Sequence, residues 1–302
     1  MVAFMISLRR ILAPVLAVCA LLSASAAGAG ETIRPIVVEL YTSQGCSSCP
    51  PADALLGRLA QRPGVIALSL PITYWDMLGW KDTLATEANT RRQKAYAAAM
   101  GHGGVYTPQI IVDGVVDVVG SRAANVEAAI AQRRATVAVA VSLARAETAH
   151  LGLVVQRADG SGEPHTAMAM VPAMPVPPVP PLPGDPVVPV VVTQTPQEMH
   201  IEIGAVPGTR PATVWMVHVR SAVTVRVGAG ENQDRTITYH NVVGDIRAIG
   251  VYKGRALSLT LPRSAMAGLP HDGVAVFVQQ DGYGHIIGAA YISRADDYAD
   301  QQ

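Results

Sequence analysis

Residues Tyr41 to Pro51 read YTSQGCSSCPP, and the chemistry of the chain begins with the thiols of Cys46 and Cys49. Two intervening residues let the sulfurs close a small disulfide with little backbone movement. Three uses of such a pair are open: thiol–disulfide exchange, coordination of a soft metal, or stapling of a turn. The preceding run, PIVVELYTS, is short and rich in Val and Ile, as a buried strand is. The following run, PPADALLGRLAQ, places Leu55, Leu56 and Leu59 on one helical face before Pro63-Gly64 ends it. The pair therefore opens a helix directly after a strand. Unpaired N–H groups and the dipole at a helix N-terminus favour thiolate over thiol. Cys46 at that mouth is the candidate nucleophile, expected to be accessible. Cys49, a turn inside the helix and less exposed, suits the resolving role that closes a mixed disulfide. Pro50 and Pro51 fall in the first turn, where missing N–H groups cost little, and stiffen it.

The elements that position this pair follow in order. VIALSLPI (Val65 to Ile72) is strand-like, and Asp82 to Gly101 is rich in helix formers and closes on glycine. TPQIIVDG and VVDVVGS are β-rich runs joined at Asp113-Gly114, a dipeptide typical of tight hairpins. Ser121 suits the N-cap of the helix RAANVEAAIAQRR. Strand, helix, strand, helix, hairpin and helix predict a small mixed sheet with helices on its faces, over residues 34–135. From Thr136 the texture changes, and TVAVAVSLARAETAHLGLVVQRA reads as two strands around a polar turn. Later runs (QEMHIEIGAV, ATVWMVHVR, AVTVRVG, RTITYHNVV, ALSLTLP, GVAVFVQQ and HIIGAAYI) predict an antiparallel sheet or sandwich, giving a β-rich C-terminal region over 136–298. It is interrupted at 171–189 by nine prolines in nineteen residues, an extended polyproline-type spacer.

Residues 1–29 combine Arg9 and Arg10, an apolar run from Ile11 to Leu22 and small residues near Ala26, the layout of a secretory signal peptide. Cleavage near Ala29 would remove Cys19 and leave Cys46 and Cys49 as the only cysteines. Export places the pair where disulfides persist, in the periplasm or outside the cell. With 23 basic and 23 acidic residues, the composition favours neither nucleic acid nor an anionic membrane as partner. No later apolar run is long enough for a membrane span, so no membrane association is expected after signal cleavage. Nothing in the sequence fixes an oligomeric state.

A second feature is GHGGVYTPQIIVDG, where a proline opens a strand before a hairpin. A cis Thr107-Pro108 bond would accommodate it. Strand, CxxC, helix and a later Thr-Pro before a β-hairpin together resemble the thioredoxin superfamily. In that superfamily the cis-proline loop packs against the disulfide and offers backbone groups to an extended substrate. The resemblance implies that Cys46 attacks, Cys49 resolves, and Thr107 and Pro108 position substrate. VELYTSQGCSSCPPAD, YWDMLGWKD, VYTPQIIVDG and GENQDRTITYHNVV further resemble a family of secreted bacterial thioredoxin-like proteins known mainly as a domain of unknown function. One departure stands out: that family usually has His-Val-Asp before Tyr-Trp-Asp, whereas Pro71-Ile72-Thr73 precede Tyr74-Trp75-Asp76 here.

The expected function is exported thiol–disulfide exchange, with protein thiols or disulfides as partners and no cofactor. Tyr74 and Trp75 are candidates to line a substrate groove. Two alternatives belong to other classes: a copper carrier using both thiolates, with His102 as the nearest further ligand, and an interaction module with a structural disulfide. Asp76 reads as a turn or capping residue. Arg91, Arg92 and Lys94 read as a solvated helix face, and GENQDRTITYHNVV as turn plus strand.

Overall fold

The computed structural model of the protein describes residues 34–158, 186–262 and 272–293. The expected signal peptide, and the proline-rich run as far as residue 185, lie outside them. β1 (Ile36–Thr42) is buried along its whole length. Helix α1 (Pro50–Ala60) follows, burying Leu55, Leu56 and Leu59. Then come β2 (Val65–Pro71), parallel to β1, and helix α2 (Glu87–Ala99), whose first turn is capped by the Thr86 hydroxyl on the Asn89 amide. β3 (Gln109–Val112) and β4 (Val116–Val119) form the hairpin. Asp113 and Gly114 both have positive φ, 50° and 77°, the pattern of a type I′ turn. The Asp113 carboxylate also takes two hydrogen bonds from the buried Arg34 guanidinium and one from the Val37 amide, fixing the turn to the start of β1.

Helix α3 (Ala123–Ala158) starts with the Arg122 carbonyl accepting its first bonds, so the cap falls at Arg122 and not at Ser121. It also runs on as one helix through 136–158, where two strands were expected. No glycine or proline stands between Ala123 and Leu151, so nothing stops the helix, and the frequent alanines offset the weaker helix propensity of the valines.

The remaining strands are β5 (Val190–Gln194), β6 (Glu198–Ile203), β7 (Ala212–Arg226), β8 (Thr236–Tyr252), β9 (Leu257–Pro262), β10 (Gly273–Gln280) and β11 (Ile286–Ser293). ATVWMVHVR and AVTVRVG are a single strand, β7. Eight strands make one mixed sheet in the order β11-β10-β7-β8-β2-β1-β3-β4, and β5-β6-β9 make a second. β8 meets β2 in parallel with Ser69 opposite Val242, so strands from both sides of residue 135 share the large sheet. The fold is mixed α/β with a β-rich C-terminal region. Side-chain alternation explains the layering. In β10, Val274, Val276 and Val278 pack with Met199, Ile201 and Ile203 of the second sheet. Ala275 and Phe277 face the other way and join Tyr41, Leu68 and Tyr96.

Arg92 departs from expectation: it is 3% exposed, whereas Arg91 and Lys94 are solvated. Arg92 and Tyr96 stand one turn apart on α2 and share a face, and that face meets Glu39 of β1. Arg92 Nε and Nη2 donate to the Glu39 oxygens at 2.6 and 3.2 Å, and the Tyr96 hydroxyl donates at 2.6 Å. Arg92 Nη2 reaches Gln279 Oε1 on β10 at 3.1 Å, and Gln279 Nε2 donates to the Tyr96 oxygen at 2.8 Å. Tyr96, Trp215, Phe277 and Tyr283 surround the guanidinium at 5.0–5.5 Å. Burial opposes the charge on Arg92, and the Glu39 carboxylate, with Tyr96 and Tyr41 beside it, more than compensates, holding its pKa above the ordinary value. Removing one partner of a buried pair strands the other charge. Glu39→Ala is therefore expected to destabilise the fold by about 3–5 kcal/mol, read as a shift of the urea unfolding midpoint. A change under about 1 kcal/mol, the level of an exposed pair, would show that the pair is not structural.

Candidate functional site

Strand register gathers the site. Thr42, the last residue of β1, pairs with Pro71, the last of β2, and Tyr41 pairs with Gln109, the first of β3. The segments after β1 and β2 and before β3 thus leave the sheet at one end. They carry Cys46 and Cys49, Tyr74 and Trp75, and Thr107 and Pro108.

Cys46 and Cys49 form a disulfide with Cα atoms 5.4 Å apart. Cys49 is the N-cap of α1 and Cys46 stands outside the helix, one turn earlier than the sequence reading placed the pair. The two prolines supply the reason. Pro50 and Pro51 have no N–H to offer the carbonyls of Cys46 and Ser47, so the first α-helical bond runs from the Asp53 amide to the Cys49 carbonyl, 3.1 Å. The Cys46 carbonyl instead accepts from the Cys49 amide at 3.1 Å and from Asn232 Nδ2 at 2.8 Å. Both cysteines are 0% exposed, against the expectation of an accessible Cys46; Ser47 and Ser48 are exposed. The Ser48 hydroxyl lies 3.4 Å from Cys46 Sγ.

Trp75 links the CxxC turn to the Thr-Pro loop. Its Nε1 donates to Thr107 Oγ1 at 2.8 Å, and a Cβ on Gly45 would lie 3.3 Å from Trp75 Cβ. The Thr107-Pro108 bond is cis. Pro108 and Ala52 of α1 both flank Gly120, whose absent Cβ would stand 3.3 and 3.2 Å from theirs. Tyr74 packs with Trp75 against the core, and burial raises its phenol. Asp76 Oδ1 accepts from the Asp82 amide, the turn role expected of it. His102 Nε2 lies 3.3 Å from Asp117 Oδ1. Among the described residues no group of three or more His, Cys, Asp or Glu side chains is placed to hold a metal ion.

Two parts of the site escaped the sequence reading. Asp53 is four residues beyond Cys49 on α1 and is buried. Thr42 Oγ1 donates to its Oδ1 at 2.8 Å, while Oδ2 is buried without a hydrogen-bond partner. Burial pushes the Asp53 carboxyl up to about 8, opposed by the Thr42 hydroxyl and assisted by the negative charge of Asp82. The second part is the loop between β7 and β8. Asn232 Nδ2 bonds the carbonyls of Gln44 (3.0 Å) and Cys46, and Glu231 Oε2 accepts from the Ser47 amide at 2.9 Å. The signal was present in GENQDRTITYHNVV, one of the segments that resemble the family, but turn plus strand was the expectation there and the contact with the CxxC turn was not foreseen.

Residues 37–176 and 181–279 match the family described as "Protein of unknown function (DUF1223)". The chain belongs to this family. The matched span includes Cys46, Cys49, Asp53, Trp75, Thr107, Pro108 and Asn232, so the family segment contains the whole site. Among solved structures, the chain is similar to protein AGR_C_4864 from Agrobacterium tumefaciens, a structural genomics target. The two are 30% identical, with 86% of this chain and 94% of that one covered and a TM-score of 0.61. HBP35 of Porphyromonas gingivalis is 13% identical, over 86% of this chain and 75% of that one, with a TM-score of 0.45. No curated protein matches the chain.

Asp53 gives the family site a pH signature. Its folded-state pKa of about 8 stands above the ordinary carboxyl value of 3.8, so between those values the folded protein keeps a proton that the unfolded chain has released. Stability from this group is present below pH 4 and is lost as pH rises through about 8. Wild-type unfolding free energy should therefore fall by a few kcal/mol more between pH 4.5 and 8.5 than that of Asp53→Asn. Parallel pH profiles of the two proteins in urea titrations would remove Asp53 as the cause.

Proposed function

We propose that the protein is an exported thiol–disulfide exchange protein of thioredoxin-like architecture, in which Cys46 is attacked and Cys49 resolves. The observation that carries this reading is a disulfide at the N-cap of a helix with a cis Thr107-Pro108 loop tied beside it through Trp75. The order β1-α1-β2-α2-β3-β4-α3 supports the thioredoxin-like part. The signal-like residues 1–29 support action in the periplasm or outside the cell.

In the oxidising direction a substrate thiolate attacks Cys46 Sγ. The new bond joins the two sulfurs, the Cys46–Cys49 bond breaks, and Cys49 leaves as a thiolate that takes up a proton. A second thiolate of the substrate then attacks the substrate sulfur of the mixed disulfide and releases Cys46. Two electrons pass from the substrate thiols to the Cys46–Cys49 disulfide, which becomes a dithiol, and the reverse steps reduce a substrate disulfide. Asp53 lies one helical turn from Cys49, and a carboxyl protonated up to about pH 8 holds a proton near the departing sulfur without opposing its negative charge. The Ser48 hydroxyl is within reach to donate to a Cys46 thiolate.

Complete burial of both cysteines favours a second reading, a structural staple in an interaction module. Substitution separates the two. Reduced Cys49→Ser should attack a disulfide-bonded peptide through Cys46 and hold it as a mixed disulfide on a non-reducing gel, one peptide sulfur leaving as a thiolate, and Cys46→Ser should trap none. Alkylation of Cys46 in the Cys49→Ser protein should slow by about threefold to tenfold when Ser48 becomes Ala, for loss of a hydrogen bond to an ion. If Cys46 is alkylated readily in Cys49→Ser but captures no disulfide-bonded peptide, the staple is the better account.

A further inference from the structure

The β7–β8 hairpin outgrows the sheet that holds its base. β10 pairs with β7 only as far as Val219, and β2 meets β8 at Val242. Among the described residues, the strand segments 222–226 and 236–240 pair only with each other. A two-stranded ribbon is marginally stable by itself, so this arm depends on what it touches. Its base is held by Asn241, whose Nδ2 donates to the Ala67 carbonyl of β2 at 2.9 Å. Along its length Val227, Ile237 and Tyr239 form a small apolar cluster with Leu84. A cleft of about 720 Å3 is lined by Thr236, Thr238 and His240 of the arm and by Pro50, Asp53 and Arg58 of α1, and the His240 ring lies against Gly57, where a Cβ would come within 2.6 Å of it.

The tip meets the dithiol. From Gly228 to Thr236, Asn232 is the one buried residue, and its amide holds the carbonyls on either side of Gly45. Exposed Glu231 takes the Ser47 amide. Gly228 lets the backbone pass the Trp80 ring, where a Cβ would come within 2.7 Å of Cζ3. The fit is incomplete, since Asn232 Oδ1 is buried with no partner. A buried acceptor left without a donor opposes closure, and opening would return it to water.

We infer that residues 220–241 are a strap that closes over the oxidised pair and lifts at its tip before a thiol reaches Cys46, with Asn232 as its latch. The inference deepens the exchange reading and accounts for the burial that otherwise favours a staple. Asn232 acts here as a positioning residue.

The test is the rate at which dithiothreitol reduces the oxidised full-length protein. A strap that must open first makes the rate level off as reductant is raised, at the rate of opening. Asn232→Ala should lift that plateau by about tenfold and Glu231→Ala by about threefold, for the loss of two bonds and one. Amide hydrogen exchange in residues 43–49 and 228–235 should quicken in both. Glu231 is exposed, so its variant and the wild-type concentration dependence decide the matter even if Asn232→Ala does not fold. A rate linear in dithiothreitol throughout, with Glu231→Ala indistinguishable from wild type, overturns the strap. Failure of the exchange reading would show instead as absence of peptide capture by Cys49→Ser, whatever the dithiothreitol kinetics.

Discussion

Glu39 occupies the middle of a strand whose neighbours are Val38 and Leu40, and it is tolerated there because Arg92 meets it through two hydrogen bonds. A carboxylate with no exposure and no partner would cost far more than the apolar burial of the surrounding strand returns. The pair also chooses its neighbours. Arginine presents a planar fork to the carboxylate and flat faces to aromatic rings, and here those faces meet Trp215, Phe277 and Tyr283 from the C-terminal half. One ion pair thereby joins β1, α2, β7 and β10. With β2 and β8 in parallel contact, it makes a single sheet of what composition suggested were two successive regions.

The site inherits its geometry from this frame. β1 carries the CxxC turn at its end, β2 the aromatic segment, and β3 the cis-proline at its start, and their register sets all three at one end of the sheet. The joint between β2 and β8 adds a contribution that a smaller domain would lack. It anchors the base of a long hairpin near α1, from which the tip reaches the cysteines across 186 residues of sequence.

What was legible in the sequence follows from the range of each interaction. β1, α1, β2 and the Asp113-Gly114 turn carry their signals locally, in apolar runs and turn residues, and so does the proline that opens β3. The burial of Arg92 does not, since Arg91, Arg92 and Lys94 look alike until a carboxylate on another element selects one of them. The persistence of α3 past residue 136 was misread because alternating Val and Ala satisfy a strand period, whereas the absence of any breaker decides for helix. Glu231 and Asn232 lie in a segment that resembles the family and reads as turn plus strand; what they hold was not legible, because their partners are backbone groups of a distant turn, and backbone groups leave no mark on sequence. Asp53 was nearer to hand, four residues past Cys49, but its loss of solvent depends on β8 lying over α1.

Pro50 and Pro51 connect these points. By withholding two N–H groups they keep the helix from extending back over Cys46, and the carbonyl left over is one that Asn232 takes. A helix begun one turn earlier would draw that carbonyl into its own ladder and leave Asn232 only the Gln44 carbonyl to hold. The stiffness of the prolines and the reach of the arm are therefore one device: the turn around the disulfide is completed by residues from the far end of a hairpin. Linkage then requires reciprocity. If the closed arm fits the turn better with the disulfide formed than with it broken, reduction must loosen the arm by the same free energy by which closing favours the disulfide. The redox state of the pair and the position of the arm are, on that footing, two measures of one equilibrium.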